Sequence, residues 1–356
     1  MSMTETINIE VHKTEKSRLS EIDFRFIPFG KFYSDHMFLA DFDKGEWGDF
    51  KIVPYQPLSL SPANSTLHYG QSVFEGMKAH KNEKGEVLIF RPLENFKRLN
   101  KSAERLCIPP LPEEVFMGGM IELLKLDRNW VPDFPNTSLY IRPFIFATDE
   151  YIGIRPSDKY KFIIFTCPVG AYYSEPVKVK IETQFSRACV GGTGYAKAAG
   201  NYAAALYPAK FAQQQGYHQL IWTDAHSHEY IEESGTMNVM FLINDTLITA
   251  PAGGTILQGV TRDCVLTLAR SWGYKVEERK VSVNEVIEAI QQGKLQEAFG
   301  TGTAATIAQI AEIGHEDQNY ILPEISTRKL SLKIIAELDQ IKTGKIEDKY
   351  GWIFKV

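Results

Sequence analysis

Residues Gly192–Ala209 read GTGYAKAAGNYAAALYPA, and Lys197 is the one charge in that run of small and apolar residues. Its nearest basic neighbours are Arg187 and Lys210, so no solvated basic face surrounds it. A buried ammonium without a partner is costly enough to shift its pKa instead. Two readings stay open at this point: a solvated lysine on a flexible Gly-rich loop, or an amine desolvated for attack on a carbonyl. The flanks supply the setting. "VKVKIET" before it reads as a strand, a helix is expected from about Asn201 to Gln214 and ended by Gly216, and "HQLIWTD", "MNVMFLI" and "TLITAP" follow as strands. The lysine therefore lies in a strand-rich second half.

Further along that half, "NDT" reads as a tight hairpin turn and Thr261 as the cap of a helix "RDCVLTLARSWG". "SVNE" at 282–285 matches a capping box, and a final amphipathic helix is expected over Thr327–Ile341 with Leu330, Ile334, Leu338 and Ile341 on one stripe. The first half has a different order. "FRFIPFGKFYSDHMFLADFD" and "GDFKIVPYQPLSLSP" alternate like half-buried strands. "RPLENFKRLNKSAERL" predicts a helix opened by Pro92, with Leu93, Phe96, Leu99, Ala103 and Leu106 at helical spacing. "PEEVFMGGMIELLKL" predicts a second helix in which Gly118 and Gly119 are unfavourable, and "SLYIRPFIFA" and "YKFIIFTCPV" predict strands. The expectation is a mixed α/β (α+β) fold in two domains, 1–170 and 178–356, joined by residues 171–177 around "GAYYSEP".

At 356 residues the chain exceeds one ordinary hydrophobic core. A net charge of −5 without any basic block argues against nucleic acid or an anionic membrane surface as partner and leaves small molecules. Cys107, Cys167, Cys189 and Cys264 form no CxxC pair, so neither a zinc site nor a disulfide scaffold is expected. The polar leader "MSMTETINIEVHKTEKSRLSEIDF" has no apolar core and resembles no targeting peptide, and no apolar run approaches the ~20 residues that span a bilayer. A cytoplasmic location is the expectation.

An activated lysine points to an aldehyde cofactor such as pyridoxal phosphate, which needs a phosphate cradle, an acid at its ring nitrogen and a donor near its phenolate oxygen. "ILQGVTRDC" runs through Gly259 into a helix near Thr261, where free N–H groups and the positive helix end suit an anion. "FGTGTAAT" at 299–306 is a second Gly/Thr loop of that kind. In "YIEESGTMNVMFLI" Glu232 and Glu233 are adjacent, so either an extended strand turns one toward solvent and the other inward, or both are solvated carboxylates in a turn. Tyr202 is a candidate phenolate donor. His226, His228 and Glu229 in "DAHSHEY" look like a polar hairpin loop, and no metal site is expected. The G-x-G-x-x-G, GKS/GKT and G-x-S-x-G patterns are absent.

"LHYGQSVFEGMKAH", "FRPLENFKRLNKSAERL", "LYIRPFIFA", "CPVGAYY", "GGTGYAKAAGNYAAAL", "EESGTMNVMF", "ILQGVTRDC" and "FGTGTAAT" occur here in the order seen in branched-chain amino acid aminotransferases. The chain resembles that family over residues 25–350, and is most similar to the branch that includes the animal enzymes. The resemblance implies a pyridoxal 5′-phosphate enzyme of fold type IV, like D-amino acid aminotransferase, with a small α/β domain and a larger sheet-rich pseudo-barrel domain that binds the cofactor. It implies that Lys197 forms the Schiff base and then carries the proton, that Glu233 pairs with the ring nitrogen, and that Tyr202 meets the phenolate oxygen. Arg91, Gly259, Val260, Thr261 and Thr303 would hold the phosphate, Arg187 would lie close by, and Leu257 would pack on the ring.

The same resemblance implies that Phe74 and Tyr172 wall an apolar pocket, and that Tyr140, Thr303 and Ala304 bind the α-carboxylate. Arg142 would take glutamate's distal carboxylate, as a guanidinium fork can. Tyr69 and the loop Ile152 to Ile154 would come from the neighbouring subunit of a homodimer. The implied reaction exchanges the amino group of leucine, isoleucine or valine with 2-oxoglutarate in a ping-pong cycle; D-amino acid transamination and aminodeoxychorismate lysis are alternatives on the same fold. One departure stands out. Animal members carry a CxxC pair where this chain has Ala305 and Ala308, so thiol regulation of that kind is not expected.

Overall fold

A computed structural model describes residues 7–173 and 175–356; the first six residues of the leader and Ser174 of the expected connection lie outside the described residues. The chain divides into two compact units. The first comprises 1–172, 196–200 and 340–356, and the second 173–195 and 201–339.

The first unit is built on a nine-stranded sheet in the order Glu10–Val11, Glu46–Pro54, His36–Asp43, Tyr160–Val169, Ser138–Ala147, Met77–Lys81, Val87–Phe90, Ile353–Lys355, with Ser72–Phe74 also paired to Ser138–Ala147. The two strands read from "SLYIRPFIFA" and "YKFIIFTCPV" fall on Ser138–Ala147 and Tyr160–Val169, paired antiparallel along their whole length. Their near-continuous apolar character fits strands covered on both faces. The helix Pro92–Arg105 starts on its proline and Glu113–Leu126 follows. They bury Leu99, Ala103, Val115, Phe116, Met120 and Leu123 in one core with Phe38, Ile52, Ile141 and Phe162. Gly119 has a packing reason. A Cβ there would sit 2.5 Å from the Phe38 ring, so only glycine lets helix and sheet approach this closely.

The amphipathic reading of Pro92–Arg105 needs one correction. Leu93 is 39% exposed, and the buried stripe instead contains Asn95 and Ser102 beside Leu99 and Ala103. Two polar groups inside a core demand partners, and both have them at the site described below. The stretches read as strands at 24–35 and 55–62 carry no strand either.

In the second unit six strands close on themselves. Val177–Ile181 pairs with Gln219–Thr223, then Ile231–Ser234, Met237–Ile243, Leu295–Gly302 and Thr306–His315, which returns to Val177–Ile181. This is the sheet-rich barrel that the resemblance implied. Thr246–Thr249 joins Met237–Ile243 through a two-residue turn in which Asn244 and Asp245 both have positive φ, 47° and 59°, the geometry asparagine and aspartate tolerate best. Ser282 accepts from the Glu285 N–H at 3.0 Å and caps Val283–Gln291 as expected.

Two helix starts differ from expectation. Gly259, not Thr261, is the N-cap of Val260–Ser271. The last helix spans Leu330–Lys342 rather than starting at Thr327, which sits in a separate 3₁₀ turn. The cap comes from across the sheet: the Glu297 carboxylate accepts from the backbone N–H of Lys329, Leu330 and Ser331 at 2.7–2.8 Å. No local pattern reveals such a cap. The stripe Leu330, Ile334, Leu338 and Ile341 is buried. The helix expected from Asn201 to Gln214 is two helices, Ala199–Ala204 and Leu206–Gln214. No helix of the described residues is long and apolar enough to cross a membrane.

Candidate active site

Lys197 belongs to the first unit, in the short segment 196–200, although the chain on either side of that segment belongs to the second. Its backbone N–H donates to Ser102 Oγ at 2.9 Å, its carbonyl accepts from the Phe74 N–H at 3.1 Å, and Ala198 bridges Val73. The peptide is thus held from both sides, which leaves the side chain to be aimed. The flanks are pinned as well. Thr193 and Asn201 bond to each other twice, at 2.6 and 2.9 Å, and a Cβ on Gly194 would run into the Thr255 carbonyl. The flexible-loop reading of Lys197 is therefore set aside.

Beside Phe74, Glu75 is fully buried. Its carboxylate accepts from Arg98 Nε at 2.6 Å and Nη2 at 2.8 Å, from Asn95 Nδ2 at 2.7 Å and from the Gly76 N–H at 3.1 Å. Burial pushes the Glu75 carboxyl up, but the charge and hydrogen bonds of Arg98, with Lys197 adding to them, outweigh it and hold it below the ordinary value. None of these three partners was read from the sequence, yet Asn95, Leu99 and Ser102 share one helical stripe, a signal that was available.

The Phe74 ring has Lys197 Nζ 4.9 Å from its centroid and the Arg142 guanidinium 4.8 Å from it. Arg142 donates to the Tyr140 hydroxyl at 3.0 Å, and its buried Nε has no hydrogen-bond partner. Phe29, absent from the sequence reading, stands edge-on to both Tyr140 and Tyr172, at 5.3 and 4.9 Å between centroids, and completes an aromatic wall. Gly76 is required here, because a Cβ would collide with the Tyr140 hydroxyl. Arg91 sits in the left-handed region at φ 51°, a conformation that costs about 1–3 kcal/mol and recurs at functional sites. Its N–H donates to the Trp352 carbonyl at 2.7 Å and its guanidinium stacks 5.5 Å from the Trp352 ring. Tyr69, Ile152 and Ile154 are not in this group; they are 41%, 62% and 92% exposed.

In the second unit Glu233 is buried and accepts from the Leu257 N–H at 2.8 Å. Arg187 Nε lies 3.2 Å from Glu233 Oε2, within ion-pair reach but not aligned as a hydrogen bond. Arg187 also donates to the carbonyls of Gly194 and Thr255. The expectation that one of the two glutamates faces solvent is corrected: Glu232 is buried too, with Thr255 Oγ1 donating to it at 2.5 Å. Burial raises its carboxyl above the ordinary value.

Asn238 gathers the anion-binding candidates. It pairs with Thr301 across the sheet, donates to the Leu257 carbonyl at 2.9 Å, and leaves no room for a Cβ on Gly259. The turn of Gly259, Val260 and Thr261 and the turn of Thr303 and Ala304 are so tied to adjacent barrel strands. The helix Val260–Ser271 has no side-chain cap, and the buried Thr301 Oγ1 has no partner. Uncapped N–H groups on a twelve-residue helix suit a phosphate. Tyr202 lies in Ala199–Ala204, five residues after Lys197. In the polar loop after Gln219–Thr223, the Asp224 carboxylate is taken up by the N–H groups of His226, Ser227, Glu229 and Tyr230, and His228 Nδ1 pairs with Thr223 Oγ1.

The profile of the class IV aminotransferases matches residues 72–313, from the strand that leads into Glu75 to the barrel strand Thr306–His315. That class depends on pyridoxal phosphate, and the donor set above suits it: a buried carboxylate, an uncapped helix start and a lysine held by its peptide. The particular family follows from the relatives. The chain is 44% identical to branched-chain-amino-acid aminotransferase 2 of Bacillus subtilis, over 99% of this chain and 97% of that one. The branched-chain aminotransferase of Thermoproteus uzoniensis with norvaline superposes with a TM-score of 0.75 at 25% identity, covering 90% of this chain and 99% of that one. The branched-chain amino acid aminotransferase of Escherichia coli gives 0.72 at 26% identity, covering 90% of this chain and 98% of that one. The chain belongs to the branched-chain-amino-acid aminotransferases.

Proposed function

We propose that the enzyme moves the amino group of L-leucine, L-isoleucine or L-valine to 2-oxoglutarate, giving the branched 2-oxo acid and L-glutamate in a ping-pong cycle. The observation that carries this reading is the Phe74 ring, which has an amine, Lys197, and a guanidinium, Arg142, each within 5 Å of its centroid. Such a wall accepts a branched alkyl chain. The guanidinium, with its buried Nε unpartnered, takes the distal carboxylate that glutamate alone brings. Pyridoxal phosphate, when bound, supplies the aldehyde that receives the amino group and the ring that draws electrons from the substrate Cα.

The chain's own residues do the rest. Lys197 would hold the cofactor through its amine and would move the proton at the substrate Cα. Glu233, which accepts from the Leu257 N–H and lies 3.2 Å from the Arg187 guanidinium, would pair with the ring nitrogen. Arg91, Thr261, Thr303 and the N–H groups after Gly259 bind the phosphate, with Val260 at the helix start and Leu257 against the ring. Tyr202 bonds the phenolate oxygen. Tyr140, Thr303 and Ala304 bind the α-carboxylate, and Tyr172 and Phe29 exclude water. The exposed apolar side chains Tyr69, Ile152 and Ile154, with Leu67 and Tyr151, would be covered by a second copy of the chain.

Incubation of the purified enzyme with L-leucine and 2-oxoglutarate is expected to yield glutamate, and borohydride reduction to fix the cofactor on Lys197. Activity confined to D-amino acids would overturn the substrate, and label on another lysine would overturn the site. Light scattering is expected to give at least a dimer; a monomer that is fully active would remove the role of Tyr69 and Ile152 to Ile154.

A further inference from the structure

Glu75 and Arg98 form an ion pair to which the proposed roles above assign nothing, and Glu75 lies within electrostatic reach of Lys197. Two hydrogen bonds join Arg98 to the carboxylate, at 2.6 and 2.8 Å, and Asn95 and the Gly76 N–H fill its remaining sites. The Glu75 N–H donates to the Pro143 carbonyl at 2.7 Å, so the corner at Phe74, Glu75 and Gly76 is fixed at backbone and side chain alike. The same corner and the same helix hold Lys197: Phe74 N–H reaches its carbonyl, and Ser102, one turn after Arg98, takes its N–H. A core needs no such pair, since replacing a buried ion pair with apolar groups is often neutral or stabilising.

We propose that Glu75 and Arg98 are positioning residues for Lys197: their ion pair fixes the corner that carries its peptide and balances the charge its amine meets. This rests on Lys197 being the reacting lysine. Within the first unit, the charged groups facing the amine are Glu75, Arg98 on the helix Pro92–Arg105, and Arg142 across the Phe74 ring. The other charges of that helix, Glu94, Lys97, Lys101, Glu104 and Arg105, are exposed or half-buried. Within the first unit Arg98 and Glu75 together add no net charge, which leaves Arg142 as the excess cation beside Lys197. Removing only the carboxylate gives it two, and removing only the guanidinium gives it none.

The test follows the sign of that balance in the full-length protein. The midpoint of Lys197 acylation against pH, read by peptide mass spectrometry after cofactor removal, is compared with the pH titration of the bound cofactor's absorption band in the holoenzyme. Glu75→Gln is expected to lower both midpoints by about one unit, a tenfold faster labelling below the midpoint, and Arg98→Gln to raise both. The double variant Glu75→Gln/Arg98→Gln returns them to near the parent value. A purely structural pair would shift both single variants the same way and the double at least as far, and that result, or unchanged midpoints, overturns the proposal. If Glu75→Gln does not fold, Arg98→Gln against the double variant carries the same sign test. Borohydride label on a different lysine would instead overturn the assignment of Lys197, leaving the measured Glu75 coupling as it stands.

Discussion

The two units each bury a glutamate against an arginine, and the two pairs are finished differently. In the first unit Glu75 and Arg98 meet in a two-pronged bond closed off by Asn95 and a backbone N–H. In the second, Arg187 approaches Glu233 to 3.2 Å without aligning its Nε, which is buried and has no hydrogen-bond partner. A closed pair is a fixture. The second pair rests on charge attraction rather than on an aligned hydrogen bond. Folding stability should therefore concentrate in the first pair and cofactor chemistry in the second.

The largest effect expected is on the closed pair. Glu75→Leu leaves the Arg98 cation buried alone and should cost about 3–5 kcal/mol in urea unfolding, most of it recovered by adding Arg98→Met. The pH dependence has a definite sign. Because the folded Glu75 carboxyl lies below its ordinary value of 4.5, its contribution is fully present above that pH and is lost as the pH falls through the folded value. The stability gap between parent and Glu75→Leu should be constant through neutral pH and shrink in acid. Glu233→Gln is the converse: a loss of about 10²–10³ in kcat, with an unfolding midpoint near the parent's. Equal damage to stability and turnover by both variants would erase the distinction.

Two smaller changes sharpen it. Gly119→Ala presses a methyl on the Phe38 ring and should destabilise by about 1–3 kcal/mol without altering the cofactor spectrum. Asn238→Ala removes the amide that ties Leu257 to the barrel and should weaken cofactor affinity about fivefold, near the 1 kcal/mol of a hydrogen bond, as followed by cofactor release.

Much of this was legible from local pattern. The strands at Ser138–Ala147 and Tyr160–Val169 are apolar runs of strand length, Pro92 marks a helix start, and the lone Lys197 among small residues stands out as a candidate. What escaped was polar and long-range. Asn95 and Ser102 are buried because their partners lie on a distant strand end and the lysine loop, and an amphipathic reading prefers Leu93, which faces outward. By alternation one of Glu232 and Glu233 was expected outward, yet both are buried, and Glu232 accepts from Thr255, 23 residues away. Glu297 caps a helix 33 residues on. Side chains that satisfy backbone groups so far off leave no periodic trace.

The strand Ile353–Lys355 has a consequence for synthesis. Until it pairs with Val87–Phe90, the wholly buried sequence VLIF is the edge of the first sheet, and Arg91 lacks the Trp352 carbonyl that holds its N–H. During translation that apolar edge emerges from the ribosome more than 250 residues before its cover. The nascent chain must travel most of its length with a sticky margin open, the stage at which chaperone capture or misassembly competes with folding.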